Sequence, residues 1–235
     1  MLVKENNGSS GNGEAKPLFE VGSEEEAKLF ALRNAARPLQ QSLMEYECAL
    51  REIETKLRII DAEHSFSMDA NPIESIATRV KSPESIYEKL KRRGLPLTIQ
   101  AMEENINDVA GVRVVCAFEE DVYAVALALA SQDDLTVVQS KDYIQNPKPN
   151  GYRSYHMIAQ VPIFLTSRKK LKVVEIQFRT IAMDFWASLE HKLRYKKNLE
   201  EPEVIRERLE KCATISAQLD REMQEIRHMI GNVSK

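Results

Sequence analysis

The sequence predicts one α/β domain with a mostly buried sheet and with helical segments on both sides of it. Between residues 74 and 200, short strand-like apolar stretches alternate with segments of helical periodicity, which is typical of a layered α/β structure. Before and after this region, apolar residues recur at steps of three and four, the spacing of helices that pack lengthwise against a partner. A chain of 235 residues can bury one substantial core with such helical additions.

The chain divides into four predicted segments. Residues 1–25 are rich in Gly, Ser, Asn and Glu and are expected to form a disordered tail. Residues 26–73 are predicted to form N-terminal helices, with a break just before Pro38 because proline fits best in the first turn of a helix. Residues 74–200 form the central domain, and residues 201–235 form a C-terminal helix.

The central domain contains five predicted strands and four predicted helices. The strands are predicted at 76–81, 112–117, 135–141, 155–161 and 171–178. The helices are predicted at 83–93, 98–106, 119–131 and 180–196. The apolar seams of the two terminal segments can pack on each other, on the central domain or on another subunit, because a seam does not identify its partner.

Composition excludes several classes of protein. Hydrophobic residues make up 43% and charged residues 29%, which is ordinary for a globular protein. No apolar run approaches the roughly 20 residues that cross a bilayer, and no secretory signal is evident, so we expect a cytoplasmic protein without membrane contact. The three cysteines are far apart, which argues against a disulfide framework or a zinc site. A net charge of −3 argues against a general nucleic-acid coat.

Positive charge is concentrated in residues 79–93, which hold six basic and two acidic side chains. In a mildly acidic chain this concentration indicates a small polyanion as a ligand, although a solvated helix face has the same composition.

The start of this basic segment combines a strand with a helix N-terminus. Arg79 and Lys81 point to the same side of the predicted strand, and Ser82 is a suitable N-cap for the helix that follows. Ser85 and Lys89 are four residues apart and share a face of that helix. Free N–H groups beside two cations form a credible polyphosphate site, but a well-capped surface helix would look similar.

Two carboxylates lie on different predicted strands. Asp108 precedes the strand VRVVCA, and Glu175 shares one side of its strand with Gln177, roughly 6.6 Å away. Together the carboxylates could hold Mg²⁺, which favours a few carboxylates plus substrate phosphates. Arg113 lies within an apolar strand and is expected to have an anionic partner, either a structural carboxylate or a ligand phosphate.

A loop rich in turn-forming residues connects two of the predicted strands. It runs from Lys148 through Gly151 and Tyr152 to His156. Tyr152 is well placed to offer an exposed ring for stacking on a base. A packing role for Tyr152 and a satisfied strand position for His156 are the alternatives.

Four motifs, taken in order, resemble the synthetase domain of the RelA/SpoT superfamily. They are RVKSPESIYEK, DVAGVRVVC, NGYRSYH and VEIQFRT. The resemblance spans about residues 74–196, and the chain length with flanking helices is similar to the superfamily's small alarmone synthetases. The HDxxED pattern of the superfamily's hydrolase domain is absent from the sequence, so the resemblance implies a member that only synthesises.

This resemblance implies a fold, a reaction and an assembly. The fold is a nucleotidyltransferase-like mixed β-sheet surrounded by helices. The reaction is attack by the 3′-hydroxyl of GTP or GDP on the β-phosphorus of ATP, which gives (p)ppGpp and AMP in the stringent response. The assembly is a homotetramer through the terminal helices, with an alarmone or RNA as a possible effector.

The resemblance also implies a role for each residue that matches a motif. Asp108 and Glu175 coordinate Mg²⁺, and Glu175 in addition activates the 3′-hydroxyl as general base. Arg79 and Arg113 hold the adenine of ATP between them. The phosphates of ATP are bound by Lys81, Ser85 and Lys89. Tyr152 stacks on guanine. The other contacts to the acceptor nucleotide come from Lys141, Lys148, Asn150, His156, Gln177 and Asp184.

Two alternative functions follow from the same residues. A relative of the same fold transfers pyrophosphate to the 3′ end of tRNA, but the intact loop from Lys148 to His156 favours a free nucleotide. A regulator that binds single-stranded RNA with a degenerate site belongs to another class. The presence of every expected charged residue argues against degeneracy.

Overall fold

Five strands and six helices make up the described part of the chain, which in this computed structural model comprises residues 24–68, 71–195 and 203–233. The strands are β1 (Ile73–Val80), β2 (Ala110–Cys116), β3 (Thr136–Asp142), β4 (Tyr155–Phe164) and β5 (Lys169–Thr180). The helices are α1 (Glu24–Met68), α2 (Pro83–Arg92), α3 (Ile99–Asn105), α4 (Glu119–Ala130), α5 (Ile181–Tyr195) and α6 (Glu203–Val233). Every strand and helix predicted for the centre coincides with one of these to within three residues at each end, and the predicted fold class is confirmed.

The strands form one mixed sheet in the order β1-β2-β5-β4-β3. The pairing of β2 with β5 is parallel, and the other three pairings are antiparallel. The last strand along the chain, β5, therefore lies at the centre of the sheet, with β1 and β2 on one side and β4 and β3 on the other.

One face of β5 belongs to the main hydrophobic core. Val174, Ile176 and Phe178 alternate along the strand and are fully buried, as the strand periodicity predicts. Ile53 and Leu57 of α1 are fully buried in the same cluster. Each such aliphatic side chain contributes about 1.5–3 kcal/mol by leaving water. The core therefore occupies one side of β5 and leaves the other side for Glu175 and Gln177.

The predicted helix break before Pro38 is wrong. A single helix, α1, is continuous through Pro38, because an internal proline removes one backbone hydrogen bond and the surrounding Ala, Arg, Leu and Gln residues are strong helix formers. The described residues fall into two compact units, which are divided between Pro38 and Leu39, and the features described below belong to the second. The predicted tail, residues 1–25, lies outside the described residues except for its last two.

A buried charge network joins α1 and α3 to the core face of β5. Glu45, only 1% exposed, lies 2.8 Å from Lys170 Nζ and 3.0 Å from Lys172 Nζ. Lys172 Nζ also donates to Glu103 Oε1 at 2.5 Å. Burial would raise the pKa of Glu45, but hydrogen bonds from the two lysines outweigh burial and lower it. Buried charges are tolerated when they are paired in this way, so the network closes the core side of β5.

The C-terminal helix α6 packs on α5 and keeps a wide apolar stripe in solvent. Trp186 Nε1 donates to the carbonyl of Leu209, and Ser216 Oγ donates to the carbonyl of Ala182, both at 3.0 Å. Eight large apolar side chains of α6 are 45–64% exposed, namely Val204, Ile205, Ile215, Leu219, Met223, Ile226, Met229 and Ile230. Among the described helices, not one is long and apolar enough to cross a membrane.

Candidate active site

A cavity of about 420 Å³ opens on the polar side of β1, β2 and β5. Its volume lies in the range of small-molecule sites. Six of the predicted site residues line it, namely Arg79, Lys81, Asp108, Arg113, Glu175 and Gln177. The cavity therefore brings together most of the predicted donor side and both predicted metal ligands.

Strand register explains why these distant residues meet. Arg113 is paired with Gln177 across the parallel β2–β5 ladder, and Gln177 is paired with His156 across β5–β4. His156 is in turn paired with Lys141 of the edge strand β3. Residues that are directly opposite in neighbouring strands share a face of the sheet, so one row of polar side chains crosses four strands.

The next row contains the central carboxylate and a glycine. Glu175 is paired with Gly111, and Gly111 is paired with Arg79 of β1. A Cβ on Gly111 would approach no atom closer than the Arg79 carbonyl at 3.9 Å, so close packing does not require glycine here. The missing side chain instead leaves the space between Glu175 and Arg79 open to a ligand.

Asp108 lies in the turn before β2 and is held by two lysines. Lys89 Nζ donates to Oδ1 at 2.6 Å, and Lys81 Nζ lies 3.3 Å from Oδ2. Burial would raise the pKa of Asp108, but the hydrogen bond from Lys89 and the two positive charges outweigh burial and lower it. The side chain is therefore a carboxylate at neutral pH, with two cations beside it.

The helix that presents Lys89 begins as the sequence predicts. Ser82 is the N-cap and accepts a hydrogen bond from the Ser85 backbone N–H at 3.3 Å, and Pro83 occupies the first helical position. Ser82 Oγ also donates to Ser85 Oγ at 3.1 Å. The N-terminus of α2, which carries a partial positive charge, directly follows Lys81 in the chain. A helix N-terminus next to a lysine is well suited to bind phosphate.

Glu175 accepts a hydrogen bond from its neighbour on the strand and faces a histidine. Gln177 Nε2 donates to Oε2 at 2.9 Å, and His156 Nδ1 lies 3.4 Å from Oε1. Burial would raise the pKa of Glu175, and Asp108 acts in the same direction, but the contacts with His156 and Gln177 lower it overall. Glu175 is thus ionised at neutral pH, and each of its carboxylate oxygens has a partner that orients the side chain.

Tyr152 is partly buried, whereas the sequence predicts an exposed ring. Its hydroxyl lies 2.8 Å from His156 Nε2, and its ring packs edge-on against Tyr143. Lys148 Nζ lies over the same two tyrosine rings, 4.6 Å from the centroid of Tyr143 and 4.8 Å from that of Tyr152. The two predicted acceptor residues Tyr152 and Lys148 are therefore in contact, and a base that stacks on Tyr152 has to compete with Lys148.

The loop that carries Tyr152 is fixed by contacts to other elements. Gly151 has φ of +83°, and a Cβ there would lie 2.4 Å from the Cβ of Ala213 on α6. Arg153 donates to Glu119 of α4 at 2.6 Å and to Asp220 of α6 at 3.3 Å. The loop is therefore held in place by contacts with α4 and α6 of the second unit.

Asn150 shapes the same loop. It accepts from the Tyr152 backbone N–H at 3.2 Å and donates to Glu190 at 3.3 Å. The structure places its side chain in loop contacts beside Tyr152.

Arg113 and Asp184 differ in one respect from the prediction. Arg113 has an anionic partner, since its Nη1 lies 3.4 Å from Asp184 Oδ1, but its side chain is 45% exposed. The predicted anionic partner is therefore a structural carboxylate, but Arg113 is not buried within its apolar strand, because its side of β2 faces the cavity. Asp184, predicted to contact the acceptor nucleotide, also accepts from Arg179 Nη1 at 2.9 Å.

Arg179 is the residue that the sequence argument missed. It shares the face of Glu175 and Gln177 at steps of two along β5, and its guanidinium contacts Gln177, Tyr152 and Asp184. The strand alternation that identified Glu175 and Gln177 extends directly to Arg179.

The donor set fits a magnesium ion. Two ionised carboxylates, Asp108 and Glu175, line one cavity, and Mg²⁺ usually binds one or two carboxylates while waters and phosphates complete its shell. Among the described residues no group of three or more His, Cys, Asp or Glu side chains could hold a metal ion. A cation here would therefore depend on oxygen atoms of the substrate.

Comparisons with known proteins agree with this geometry. A family model described as "Region found in RelA / SpoT proteins" matches residues 78–200. The chain is 46% identical over 192 residues to GTP pyrophosphokinase YwaC of Bacillus subtilis (strain 168), which covers 82% of this chain and 91% of that protein.

Solved structures are similar over nearly their whole length. Small alarmone synthetase 1 from Bacillus subtilis, in the crystal structure bound to its product pppGpp, gives a TM-score of 0.76 at 39% identity and covers 83% of this chain and 98% of that chain. The crystal structure of the same synthetase bound to AMPCPP gives a TM-score of 0.70 at 35% identity, with 83% and 99% covered. The predicted fold is confirmed by these likenesses.

Proposed function

The chain belongs to the RelA/SpoT family, and on this premise we propose that it is a GTP pyrophosphokinase. It transfers the β,γ-pyrophosphate of ATP to the 3′-hydroxyl of GTP or GDP and releases AMP. One observation carries the proposal: a single cavity is lined by two carboxylates, Asp108 from the turn before β2 and Glu175 from the adjacent strand β5, with cations on one side and the polar row toward the Tyr152 loop on the other.

The cations on the side of β1 and α2 are suited to the triphosphate of ATP. Lys81 and Lys89 lie within 3.3 Å of Asp108, so a polyphosphate chain that reaches Asp108 also reaches both ammonium groups. Transfer of a phosphoryl-type group depends mainly on positioning and on neutralising the charge of phosphate oxygens. Arg79 and Arg113 line the same cavity and are proposed to hold the adenine between them.

Glu175 is proposed to accept the proton of the attacking hydroxyl. The 3′-oxygen of the acceptor forms a bond to the β-phosphorus, and the bond from that phosphorus to the oxygen that bridges the α- and β-phosphates breaks. AMP leaves with the bridging oxygen, and the hydroxyl proton passes to the carboxylate. The ionised state of Glu175 supports this role, since a general base has to be deprotonated before the reaction.

Asp108 and Glu175 are proposed to hold Mg²⁺ together with the phosphates. The ion supplies charge neutralisation on the transferring group when it is bound. Because two carboxylates are all that the described residues provide at this cavity, we expect the affinity for Mg²⁺ to be low without nucleotide and to increase when ATP is present.

The reaction is tested by product analysis. The protein is incubated with ATP labelled at the γ-phosphate and with GTP, GDP, GMP or deacylated tRNA, and the products are separated by anion-exchange chromatography. We expect labelled pppGpp or ppGpp and one AMP for each product formed. Label only on tRNA would favour tRNA as acceptor, and binding of single-stranded RNA without any transfer would favour the regulator.

A homotetramer through the terminal helices is a further part of the proposal. The stripe of apolar side chains on α6, half-exposed from Ile215 to Ile230, supports burial against another copy, because such a stripe is costly in water. Light scattering after size exclusion measures the mass. We expect Leu219→Glu to dissociate the assembly, whereas Leu127→Glu on the exposed surface of α4 serves as the matched control.

A cytoplasmic location, a role in the stringent response and an alarmone or RNA effector remain predictions. Adding pppGpp or a single-stranded RNA to the assay above measures whether either ligand changes the initial rate.

A further inference from the structure

Arg179 is a buried arginine at the end of β5 whose side chain is only 7% exposed. Its Nη1 donates to Asp184 Oδ1 at 2.9 Å. Its Nη2 donates both to Tyr152 Oη at 2.9 Å and to Gln177 Oε1 at 2.8 Å. The guanidinium therefore joins the acceptor loop, the centre of β5 and the first turn of α5.

The orientation of this guanidinium leaves one of its own donors unpaired. Nε of Arg179 is the one buried side-chain nitrogen or oxygen without a hydrogen-bond partner in the described ranges. A buried unpaired donor is unfavourable, and such atoms in a native fold call for an explanation. The orientation of the Arg179 guanidinium is therefore determined by the hydrogen bonds of its two Nη atoms and not by Nε.

Arginine has donors only, and this fixes the direction of the hydrogen bonds that follow from it. Because Tyr152 Oη accepts from Arg179, its single proton is available for His156 Nε2, 2.8 Å away. A neutral imidazole that accepts at Nε2 carries its proton on Nδ1. That atom faces Glu175 Oε1 at 3.4 Å.

The second branch from Arg179 ends on the same carboxylate. Since Gln177 Oε1 accepts from Nη2, the amide nitrogen of Gln177 points the other way and donates to Glu175 Oε2 at 2.9 Å. The two branches form a closed circuit of Arg179, Tyr152, His156, Glu175 and Gln177. We call these five residues the acceptor circuit.

We propose that Arg179 is a positioning residue for the acceptor side of the reaction, which sets the tautomer of His156 and the amide orientation of Gln177 so that both donate toward Glu175. The inference rests on the proposed function of Glu175 and Tyr152. Arg179 acts through its partners and does not itself line the cavity. Its loss should therefore affect use of the acceptor nucleotide and leave ATP binding in place.

Steady-state kinetics of Arg179→Met test this separation. We expect kcat/KM for GTP to fall by about 100-fold, the loss that follows when reacting groups are misplaced by about 1 Å. KM for ATP should change by less than about twofold. Arg179→Lys should not restore the rate, because an ammonium group lacks the planar fork that serves three acceptors. An equal loss on the ATP side would overturn the proposal.

A double-mutant cycle separates positioning from general structural damage. Tyr152→Phe removes only the hydroxyl, so the double variant with Arg179→Met should be little worse than Arg179→Met alone if both act in one circuit. Additive losses would contradict the circuit. Lys172→Met is the matched control, since it removes a buried cation from the opposite face of the same strand. Its kcat/KM for GTP, calculated per folded enzyme, should equal that of the wild type.

The tautomer of His156 gives a readout that does not depend on activity. In protein with ¹⁵N-labelled histidine at pH 8, we expect His156 to carry its proton on Nδ1, and in Arg179→Met we expect the Nε2–H form to appear. An unchanged tautomer in a folded variant would overturn the proposal. If the wild type makes no alarmone, the proposed function fails, while the NMR result still decides whether Arg179 directs the circuit.

Discussion

The two sides of the cavity are built in different ways. On the donor side, Arg113 is 45% exposed and Lys81 and Lys89 share one partner, Asp108. On the acceptor side, Arg179 is buried, and each group of the circuit contacts at least two others. One side is an open cluster of charges, and the other is a preformed network.

This difference indicates how each substrate is recognised. Positive charges near an open cavity attract any polyphosphate and select it weakly, because charge alone carries little shape information. We expect Lys81 and Lys89 to exchange Asp108 for phosphate oxygens when ATP and a cation bind. A preorganised network loses little freedom on binding and favours one geometry. Discrimination should therefore reside mainly on the acceptor side.

Glu175 lies where the two sides meet, and its substitution should have the largest effect. We expect Glu175→Gln to lower kcat by about 10²–10⁴-fold, the range for a lost general base, while both nucleotides still bind. Initial rates and equilibrium binding of each nucleotide measure this. Asp134→Asn, a carboxylate paired with Lys56 at the surface, is the matched control. If the variant loses ATP affinity and stability together, Glu175 is a structural carboxylate.

Two glycines test the rigidity of the acceptor loop against the donor side. Gly94 and Gly151 both have positive φ, but only Gly151 would clash with Ala213 if it carried a Cβ. We expect Gly94→Ala to cost about 1–2 kcal/mol from backbone strain and Gly151→Ala to cost about 1–3 kcal/mol more from overpacking. Urea unfolding measures both free energies.

The kinetic consequence of Gly151→Ala should be confined to the acceptor. KM for GTP should rise and KM for ATP should not, and adding Ala213→Gly should restore part of the loss because it removes the clash. Equal effects of the two glycine variants would show that the loop tolerates movement, which would remove the contrast between the two sides.

Removing an exposed donor-side cation should affect binding without affecting stability. We expect Arg113→Ala to raise KM for ATP about tenfold, as for the loss of one cation–π or charged contact of about 1–2 kcal/mol. The free energy of unfolding should change by less than about 0.5 kcal/mol, as for a surface substitution. Arg153→Ala in the acceptor loop should lower the free energy of unfolding and leave KM for ATP unchanged, since Arg153 bridges Glu119 and Asp220.

The smallest expected effect concerns how the free energy of unfolding depends on pH. Asp108 on the donor side and Asp220 beside the acceptor loop should change it in opposite directions. Because the pKa of Asp108 is lowered in the folded state, the unfolded state binds the proton of this carboxyl more readily. The stabilisation of the fold by ionised Asp108 is therefore present above about pH 4 and is lost as pH falls further. Burial raises the pKa of Asp220 despite Thr180 and Arg153, so its contribution is greatest in acid and is lost as pH rises through that raised pKa.

Urea unfolding between pH 3 and pH 6 measures both contributions. Asp108→Asn should reduce the loss of stability in acid, and Asp220→Asn should increase it. The same direction of change in both variants would contradict the assignment.

Much of this fold can be predicted from the sequence because its signals are local. Strand alternation placed Glu175 and Gln177 on one face, and the capping preference of Ser82 placed the start of α2. The pairing of β2 with β5 involves strands that are far apart along the chain, so no local pattern could specify that Gly111 is paired with Glu175.

Side-chain partners were harder to predict than elements. Arg153 and Arg179 bind carboxylates on α6 and α5 that come later in the chain, and the sequence contains no sign of which acid each arginine meets. The exposed side of Arg113 was misjudged because an apolar strand next to a cleft looks the same as one that is buried on both faces. The apolar seams predicted the helical periods of α1 and α6. They did not reveal that the apolar face of α1 is buried in the core while that of α6 is exposed.

The position of β5 in the sheet has a consequence for how the protein is made. The strands β1 and β2 pair with each other, as do β3 and β4, and all four strands precede residue 165 in the chain. Glu175 arrives only with the last strand, which has to enter between the two pairs and so unites them. A chain truncated before β5 lacks Glu175, the proposed proton acceptor, and its Tyr152 loop lacks the contacts with Arg179, Ala213 and Asp220 that hold it, so the proposed acceptor side is complete only after the chain beyond β4 has folded.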